Sequence, residues 1–430
     1  MKLSRIKKML KSLDTWLIVL SLIVFLLKLA IISEPWPKLE PKDCRDPPFP
    51  TECAFIFDEA HYVPAARKMM EGMAVNNEHP PLSKVLIILG ILIFGDNPVG
   101  WRIFMVLSGA ISVYLVGKLS YLLLGNQNLA FISATLFAFD ITSFNLSSMA
   151  ILDPPALALS MFSAILFLKK RYVYSGVFMG LALLSKISSI FILLALLFFQ
   201  LIREAYLKPK LIDALRNFMV VLEKSLIISV LVLVAGLAVY DYAYNVFSTP
   251  FGHIDYILNY HTILTFKEGD TVHMPLSWTN PFLQYPRESY YVVTVTENGK
   301  TYHPVAYYSM QTPLWWMTWL IVAFMLYLSY INLENRVFPE IEIFTLSWIS
   351  FTYFIYFPLA YLMHRWVYPF YFYQTVPIIA VGITYILSED KFSKLILYVL
   401  TALQIAWFIV WFPVKPQWLI DLLLLLNLPA

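Results

Sequence analysis

Charged residues are scarce in this sequence. Asp, Glu, Lys and Arg make up 14% of its 430 residues, whereas hydrophobic residues make up 59%, and the mean hydropathy is +0.68. A soluble domain of this composition would have no core large enough for its apolar side chains. The composition excludes a soluble globular protein and predicts a polytopic membrane protein. The net charge of +3 is too small to indicate a nucleic-acid partner.

Several common motifs and features are missing as well. The sequence contains no P-loop and no G-x-G-x-x-G between a strand and a helix, which argues against ATP-driven and dinucleotide chemistry. It has no internal repeat and no low-complexity tract. The first apolar run is too long for the apolar core of a signal peptide, so we interpret it as a retained span. Without a soluble domain, any activated substrate has to arrive through the membrane on a lipid tail.

Cysteine is nearly absent. The two cysteines, Cys44 and Cys53, both follow the first apolar run. Two thiols are half of a zinc site, and no histidine pair lies nearby at ligand spacing, so no metal site is expected. Two interpretations stay open at this stage: a disulfide, if the loop faces an oxidising space, or two free thiols.

Long apolar runs are what the sequence has in abundance, and their length predicts about eleven membrane crossings. They lie at 15–33, 101–124, 128–148, 154–168, 172–186, 187–203, 224–245, 313–331, 341–361, 370–388 and 394–412. A twelfth run, 82–94, has about 13 residues and is short for a crossing, which favours an interfacial or re-entrant helix.

The distribution of basic residues supports leaving 82–94 out of the count. The N-terminus "MKLSRIKKMLK" is strongly basic and is expected on the cytoplasmic side. If 82–94 does not cross, the basic loops around 169–171, 203–224, 334–336 and 389–394 all fall on that side too. The loops 34–100 and 246–312 then face outward. We divide the chain accordingly into 1–245, with its outer loop 34–100, then the outer loop 246–312, then 313–430.

The polar residues of interest fall on the outer side under this topology. "FDEAHY" places Asp58 and Glu59 next to each other, and the pair is either a solvated helix start or a general base with a positioning carboxylate. His79 precedes two prolines that stiffen the chain, and next to Lys84 and Arg102 it could help to bind an anion. The segment 59–73 is predicted to lie on the membrane surface.

Three further positions lie at the ends of apolar runs. Asp153 in "LDPPAL" fits a helix N-cap and a site residue about equally well. Lys186 interrupts an apolar segment, either as a functional residue or as a lysine that reaches the interface. His364 and Arg365 stand among aromatic residues, where an arginine suits a lipid phosphate or bulk headgroups. In the long outer loop, 251–266 is predicted to form a surface helix and 290–308 a hairpin turning at Asn298 and Gly299.

These residue types suit glycosyl transfer from a polyprenyl-phosphate sugar. Asp58 or Glu59 can deprotonate an attacking hydroxyl, and Arg102, Lys186 and Arg365, with His79, can hold a leaving phosphate. A single displacement of this kind would invert the anomeric centre.

The sequence also resembles a known family in specific places. The run "FDEAHY…EHPPLSK…FGDNPVGWR" is similar to the signature of the dolichyl-phosphate-mannose–protein O-mannosyltransferases, which are GT-C membrane glycosyltransferases. "LDPPALALSMF", "GVFMGLALLSKIS", "TPFGHIDYILNYHTILT", "QTPLWW" and "HRWVYPFYF" follow in the same order, so the resemblance extends over about 55–390.

The resemblance implies a fold, a reaction and a set of site residues. The fold is all-α, with outer surface helices, and the reaction moves mannose or a related hexose to Ser or Thr of proteins without a cofactor or divalent metal. Asp58 and Glu59 would be catalytic. The implied substrate-binding residues are His61, Tyr62, His79, Lys84, Arg102, Asp153, Lys186, His364 and Arg365.

The sequence also departs from the family. Eukaryotic relatives carry a β-trefoil MIR domain where this chain has only 246–312, and their His-, Pro- and Trp-rich loop motif survives in part as "HMPLSWTNPFLQYP". We therefore expect a prokaryotic, archaeal-type member in the plasma membrane, in contact with membrane lipids and a protein acceptor, as a homo- or hetero-oligomer or alone. Two alternatives stay open: a GT-C transferase acting on a lipid or glycan, and a transporter or flippase.

Overall fold

The computed structural model describes residues 12–270, 272–283, 287–297 and 299–430. The basic N-terminus of the topology argument and Asn298 of the hairpin turn lie outside these residues. The first half of the chain contains helices α1 to α11, which have the following bounds. They are α1 Leu13–Ile31, α2 Glu59–Met70, α3 Leu82–Phe94, α4 Pro98–Leu124, α5 Gln127–Ala138, α6 Ile141–Leu146, α7 Asp153–Leu168, α8 Tyr172–Ser185, α9 Ile190–Leu207, α10 Leu211–Leu222 and α11 Ile228–Tyr244.

The second half begins with short elements and returns to long helices. The elements are α12 Pro250–Ile263, α13 Pro275–Thr279, strands β1 Glu288–Glu297 and β2 Lys300–Ser309, α14 Pro313–Trp316, α15 Thr318–Glu334, α16 Glu340–Ile349, α17 Tyr356–Tyr361, α18 Val376–Ile386, α19 Lys391–Val410 and α20 Gln417–Leu425. Single turns of 3₁₀ or π geometry join several of them, including Ile187–Ser189 before α9, Glu223–Ile227 between α10 and α11, and Ser350–Phe354 between α16 and α17.

Each predicted span contains or overlaps an apolar helix. Six helical segments in the described part are long and apolar enough to cross a bilayer: Leu13–Ile31, Pro98–Leu124, Ile187–Leu207, Leu211–Tyr244, Glu340–Tyr361 and Lys391–Val410. Shorter apolar helices cover the other five predicted runs. The predicted all-helical membrane architecture is confirmed. Helix α20 was not expected from the sequence.

The run predicted as one span at 128–148 is interrupted. Helix α5 ends at Ala138, and Asp140 caps a new helix, α6, by accepting a hydrogen bond from the backbone N–H of Ser143 at 2.8 Å. Its other carboxylate oxygen accepts one from the Thr312 hydroxyl at 2.8 Å. A buried carboxylate in an apolar run needs such donors, and the local helix start supplies one of them.

The short helix α3 packs closely against α4. A Cβ atom on Gly90 would lie 1.9 Å from the carbonyl oxygen of Gly100, so only glycine permits this approach. At 1.5 Å per residue, the 13 residues of α3 extend about 20 Å, which is short of the roughly 30 Å apolar core of a bilayer. Helices α5 and α18, counted above among the crossings, are shorter still, so that 82–94 does not cross stays a prediction.

The long loop 246–312 contains the predicted helix and hairpin. Strands β1 and β2 pair antiparallel from Glu288 opposite Ser309 to Glu297 opposite Lys300. Cys44 and Cys53 form a disulfide, which decides between the two interpretations that the sequence left open. The hairpin lies close to the chain that follows the disulfide, because the ring of Tyr290 stacks on Phe57 with centroids 4.1 Å apart.

Candidate active site

The adjacent carboxylates at the start of α2 lie in different surroundings. Glu59 is fully buried and pairs with the Arg102 guanidinium, with Nε to Oε1 at 2.7 Å and Nη2 to Oε2 at 2.8 Å. The backbone N–H groups of Ile56 and Ala150 donate to the same carboxylate at 2.9 and 2.8 Å. Both oxygens of Glu59 therefore have hydrogen-bond donors from within the protein.

Arg102 is equally occupied. Its side chain is 1% exposed, and Nη1 donates to the carbonyls of Ile32 and Glu34, both at 2.9 Å. The guanidinium thus joins α4 to the end of α1 and to the start of α2. The structure places Arg102 beneath the site as a support, and does not bring it together with His79 as an open anion site.

Asp58 immediately precedes α2, yet its side chain does not cap the helix. Within the described ranges, no donor makes a hydrogen bond to its carboxylate. Burial raises the pKa of Asp58 to about 6, against the opposing charges of Lys186 and His61 and with a smaller contribution from Asp153. A partly buried carboxylate that lacks donors is a suitable proton acceptor near neutral pH.

The backbone before Asp58 has an uncommon conformation. Phe57 has φ +50°, in the left-handed region that residues other than glycine seldom adopt. Its ring is held between Tyr290 of β1 and Phe370, with centroids at 4.1 and 5.2 Å. The hairpin therefore contributes to fixing the position of the Asp58 carboxylate.

Asp153 and Lys186 form a second charged pair near Asp58. Lys186 Nζ lies 2.7 and 2.8 Å from the two oxygens of Asp153, and the pair is largely buried. Asp153 is the first residue of α7 and makes no capping hydrogen bond, so the N-cap interpretation was wrong. The ammonium also lies over the rings of Phe370 and Tyr371, at 5.2 and 5.4 Å from their centroids.

Two histidines meet on the other side of this pair. The ring of His79 lies 5.6 Å from that of Tyr62 and 5.5 Å from that of His261. Burial holds the pKa of His79 well below its ordinary value, and the neighbouring His261 lowers it further. Burial, together with the charge of Arg365, lowers the pKa of His261 to about 4. Both rings are therefore neutral at pH 7.

Arg365 is a cation without a carboxylate partner in the part of the chain that the structure describes. Its Nη1 donates to the backbone carbonyl of His261, and Nη2 lies 3.3 Å from Nδ1 of the same residue. Because Arg365 can only donate, the proton of the His261 ring is assigned to Nε2. His364 is exposed, and its carbonyl accepts a hydrogen bond from the backbone N–H of Phe266 at 2.8 Å.

The remaining predicted residues are divided between the site and its support. Tyr62 is buried beside His79, and His61 is exposed on α2 but close enough for its charge to lower the pKa of Asp58. Lys84 is fully buried, and its ammonium donates to the carbonyls of Asn76 and His79 at 2.5 and 3.0 Å. Lys84 thus fixes the loop that carries His79.

Sequence reasoning did not select His261, Glu288 or Tyr371 as site residues. His261 lies on the predicted surface helix, and its presence in the matched segment "TPFGHIDYILNYHTILT" was the signal that could have found it. Burial, together with the charge of Asp58, raises the pKa of Glu288, at the start of β1, to about 7. Within the described residues, no group of three or more His, Cys, Asp or Glu side chains is arranged to hold a metal ion.

Comparison with known proteins identifies related sequences over part of the chain. Residues 78–233 match the family model described as dolichyl-phosphate-mannose-protein mannosyltransferase. The polyprenol-phosphate-mannose–protein mannosyltransferase of Mycolicibacterium smegmatis is 34% identical over 105 residues, which are 23% of this chain and 20% of that protein. The enzyme of the same name from Corynebacterium glutamicum is 33% identical over 97 residues, 19% of this chain and 18% of that protein. The matched stretch is thus about a fifth of the length of these relatives.

Solved structures resemble nearly the whole chain. ArnT from Cupriavidus metallidurans bound to undecaprenyl phosphate superimposes with a TM-score of 0.55 at 13% identity, covering 89% of this chain and 61% of ArnT. The archaeal oligosaccharyltransferase AglB from Archaeoglobus fulgidus, in complex with an inhibitory peptide and a dolichol-phosphate, gives 0.50 at 14% identity, covering 91% and 56%. These likenesses confirm the GT-C fold.

Proposed function

We propose that this protein is an inverting glycosyltransferase that moves mannose, or a related hexose, from a dolichyl or polyprenyl phosphate to Ser or Thr hydroxyls of proteins. The observation that carries the proposal is the Asp58 carboxylate: it has no donor within the described residues, its pKa is raised to about 6, and a buried cation lies nearby. The names of the partial relatives support a polyprenol-phosphate mannose donor and a protein acceptor.

Asp58 acts as the general base in this proposal. The hydroxyl oxygen of the acceptor attacks the anomeric carbon while Asp58 takes the hydroxyl proton. The new C–O bond forms as the bond between the anomeric carbon and the phosphate oxygen breaks, and the lipid phosphate leaves with the electron pair. One displacement inverts the anomeric configuration. Glu59 and Arg102 fix the backbone at the start of α2, next to Asp58. They do not touch the reacting atoms.

Lys186 and Arg365 stabilise the leaving phosphate. Lys186 is oriented by Asp153, and Arg365 lacks a carboxylate counterion in the described ranges, so it has charge available for an anion. His79 and His261 are neutral, so they add hydrogen-bonding capacity there without a third and fourth positive charge. The aromatic rings around Lys186 shield the phosphate from water, which strengthens each of these interactions.

The hairpin forms the acceptor side of the site. Tyr290 stacks on the residue before Asp58, and Glu288 lies near enough for the charge of Asp58 to add to the effect of burial on its pKa. Both strand residues therefore lie at the approach to the base, where a Ser or Thr hydroxyl must arrive. A peptide bound along the hairpin would present its hydroxyl to Asp58.

We place this site on the outer face of a prokaryotic plasma membrane, with the N-terminus in the cytoplasm. The four basic loops of the sequence support this orientation. The disulfide between Cys44 and Cys53 supports it as well, because disulfides persist in oxidising compartments. Membrane lipids surround the apolar helices, and the chain acts alone or with a second subunit.

A transfer assay tests the proposed function. The purified protein is incubated with polyprenyl-phosphate [¹⁴C]mannose and either a Ser/Thr-rich peptide or a membrane lipid extract. We expect label on the peptide. Label on the extracted lipid or glycan alone would replace the protein acceptor with the alternative GT-C activity, and an absence of both transfer and donor binding would overturn the proposal.

The pH dependence of transfer should reflect the raised pKa of Asp58. Because the pKa of Asp58 is raised to about 6, its carboxylate becomes protonated as the pH falls through 6, and kcat/KM should then fall about tenfold per pH unit. Initial rates between pH 4.5 and 8, at subsaturating acceptor, measure this fall of kcat/KM on the acidic side of the profile. A fall of kcat/KM with an apparent pKa near 4 would show that the pKa of Asp58 is not raised. It would contradict the assignment of Asp58 as a base with a raised pKa.

A further inference from the structure

The loop 75–79, which carries His79, is held by a pair of side chains outside the site. Asp241 at the end of α11 and His253 on α12 are both buried, and Nδ1 of His253 lies 2.7 Å from Oδ1 of Asp241. On its other edge, Nε2 of His253 lies 2.9 Å from the backbone carbonyl of Asn77. The pair therefore links α11 and α12 to this loop.

The two contacts fix how many protons the pair holds. A carbonyl can only accept, so Nε2 of His253 carries a proton that it donates to Asn77. The 2.7 Å contact between Nδ1 and the Asp241 carboxylate also needs one proton, on either partner. The pair thus holds one proton more than a neutral imidazole and a carboxylate together, so its net charge is zero, which suits its burial.

Other contacts fix the same short loop. The Tyr240 hydroxyl donates to the Asn77 side-chain oxygen at 2.9 Å, and Phe247 stacks on the His253 ring with centroids 4.4 Å apart. From the opposite direction, the Lys84 ammonium donates to the carbonyls of Asn76 and His79. Loop residues seldom have so many buried donors directed at their carbonyls, and here the residue at the end of the loop faces the site.

We propose that His253 and Asp241 are positioning residues for sugar transfer, holding Asn77 and, through it, the His79 ring at the donor phosphate. Neither residue touches the reacting atoms. Their contribution is to keep His79 in one place before the donor binds, because a misplacement of about 1 Å at such a site can cost about 100-fold in rate. The inference rests on the proposed function.

Two substitutions at one position separate this role from simple packing. In His253→Gln, the amide nitrogen lies near the place of Nε2 and can still donate to the Asn77 carbonyl. In His253→Asn, the shorter amide reaches Asp241 but not Asn77. We expect kcat/KM for the lipid donor to fall about 10- to 100-fold in H253N and less than threefold in H253Q, with similar thermal midpoints. Tyr240→Phe, which keeps the fold, should lower it about two- to fivefold.

A double mutant shows whether the effect passes through His79. If it does, H253N should cost less than threefold when added to His79→Ala, since the ring that it positions is already gone. Equal losses in H253N and H253Q, or full additivity with H79A, would overturn the proposal.

Amide deuterium exchange measures how firmly the loop 75–79 is held, and it does not require sugar transfer. The amides of 75–79 should exchange faster in H253N than in the wild type, and at the wild-type rate in H253Q. Unchanged exchange in H253N would overturn the proposal. If the wild type transfers no sugar at all, the proposed function fails, and the exchange rates still decide whether His253 holds the loop.

Discussion

Asp58→Asn is expected to lower kcat/KM for sugar transfer by about 10²- to 10⁴-fold, the range that a general base contributes. The amide has the size of the carboxylate but cannot take the proton of the acceptor hydroxyl. Binding of the lipid donor should change less than threefold, because Lys186 and Arg365 are untouched. Single-turnover transfer and donor binding, measured on the same preparation, separate the two effects.

The matched control for this substitution is Asp46→Asn. Asp46 lies in the same loop, 34–100, pairs with Lys68 and is exposed. The same chemical change there should alter the transfer rate less than twofold, since an exposed ion pair contributes little. If D58N kept more than a tenth of the wild-type rate, Asp58 would not be the base.

Arg102→Ala is expected to lower the free energy of unfolding by about 3–5 kcal/mol, because it leaves the fully buried Glu59 carboxylate without its cation. It also removes the two hydrogen bonds to the carbonyls of Ile32 and Glu34. Denaturant unfolding in detergent micelles, followed by tryptophan fluorescence, measures the loss. Transfer should fall as well, because Glu59 and Arg102 hold the start of α2 beside Asp58.

Arg45→Ala supplies the comparison. Arg45 pairs with Glu71 at the surface, where both side chains are nearly half exposed, at 44% and 47%. Its loss should cost less than about 1 kcal/mol. Equal losses of stability in R102A and R45A would show that the buried pair does not anchor the site.

The helical architecture could be predicted because it depends on local patterns. A run of about 20 apolar residues has few alternatives to a membrane helix, since every backbone polar group must be satisfied inside the segment. The break at Asp140 was missed because the prediction rested on the length of the apolar run, whereas in the structure the buried Asp140 carboxylate caps a new helix within it. Helix α20 is only nine residues long and has no length signal of a span.

Sequence reasoning could propose which residues belong to the site, but it could not predict which contacts they make. Sequence patterns predicted one site from Asp58, Asp153, Lys186 and Arg365, and in the structure Lys186 pairs with Asp153 and its charge acts on Asp58. Sequence patterns could not show that the side chains of Arg102 and Lys84 point into the protein interior. That direction depends on the carboxylate or carbonyl that each side chain contacts after folding. His261 and Glu288 were missed for the same reason.

The difference between Asp58 and Glu59 illustrates this limit most clearly. The two residues are adjacent and chemically similar, and the sequence left their roles open. In the structure, the start of α2 directs Glu59 inward to Arg102 and leaves Asp58 near Lys186 without a donor among the described residues. One position in the helical register decides which carboxylate is available to take a proton.

The anomeric configuration of the transferred sugar tests the central claim most directly. A glycopeptide made by the wild-type protein from a donor of known anomer is examined by NMR. Direct attack by a hydroxyl activated at Asp58 predicts the opposite anomer in the product. Retention of the donor configuration would mean two displacements through a covalent intermediate, and would contradict the role of Asp58 as a base in a single step.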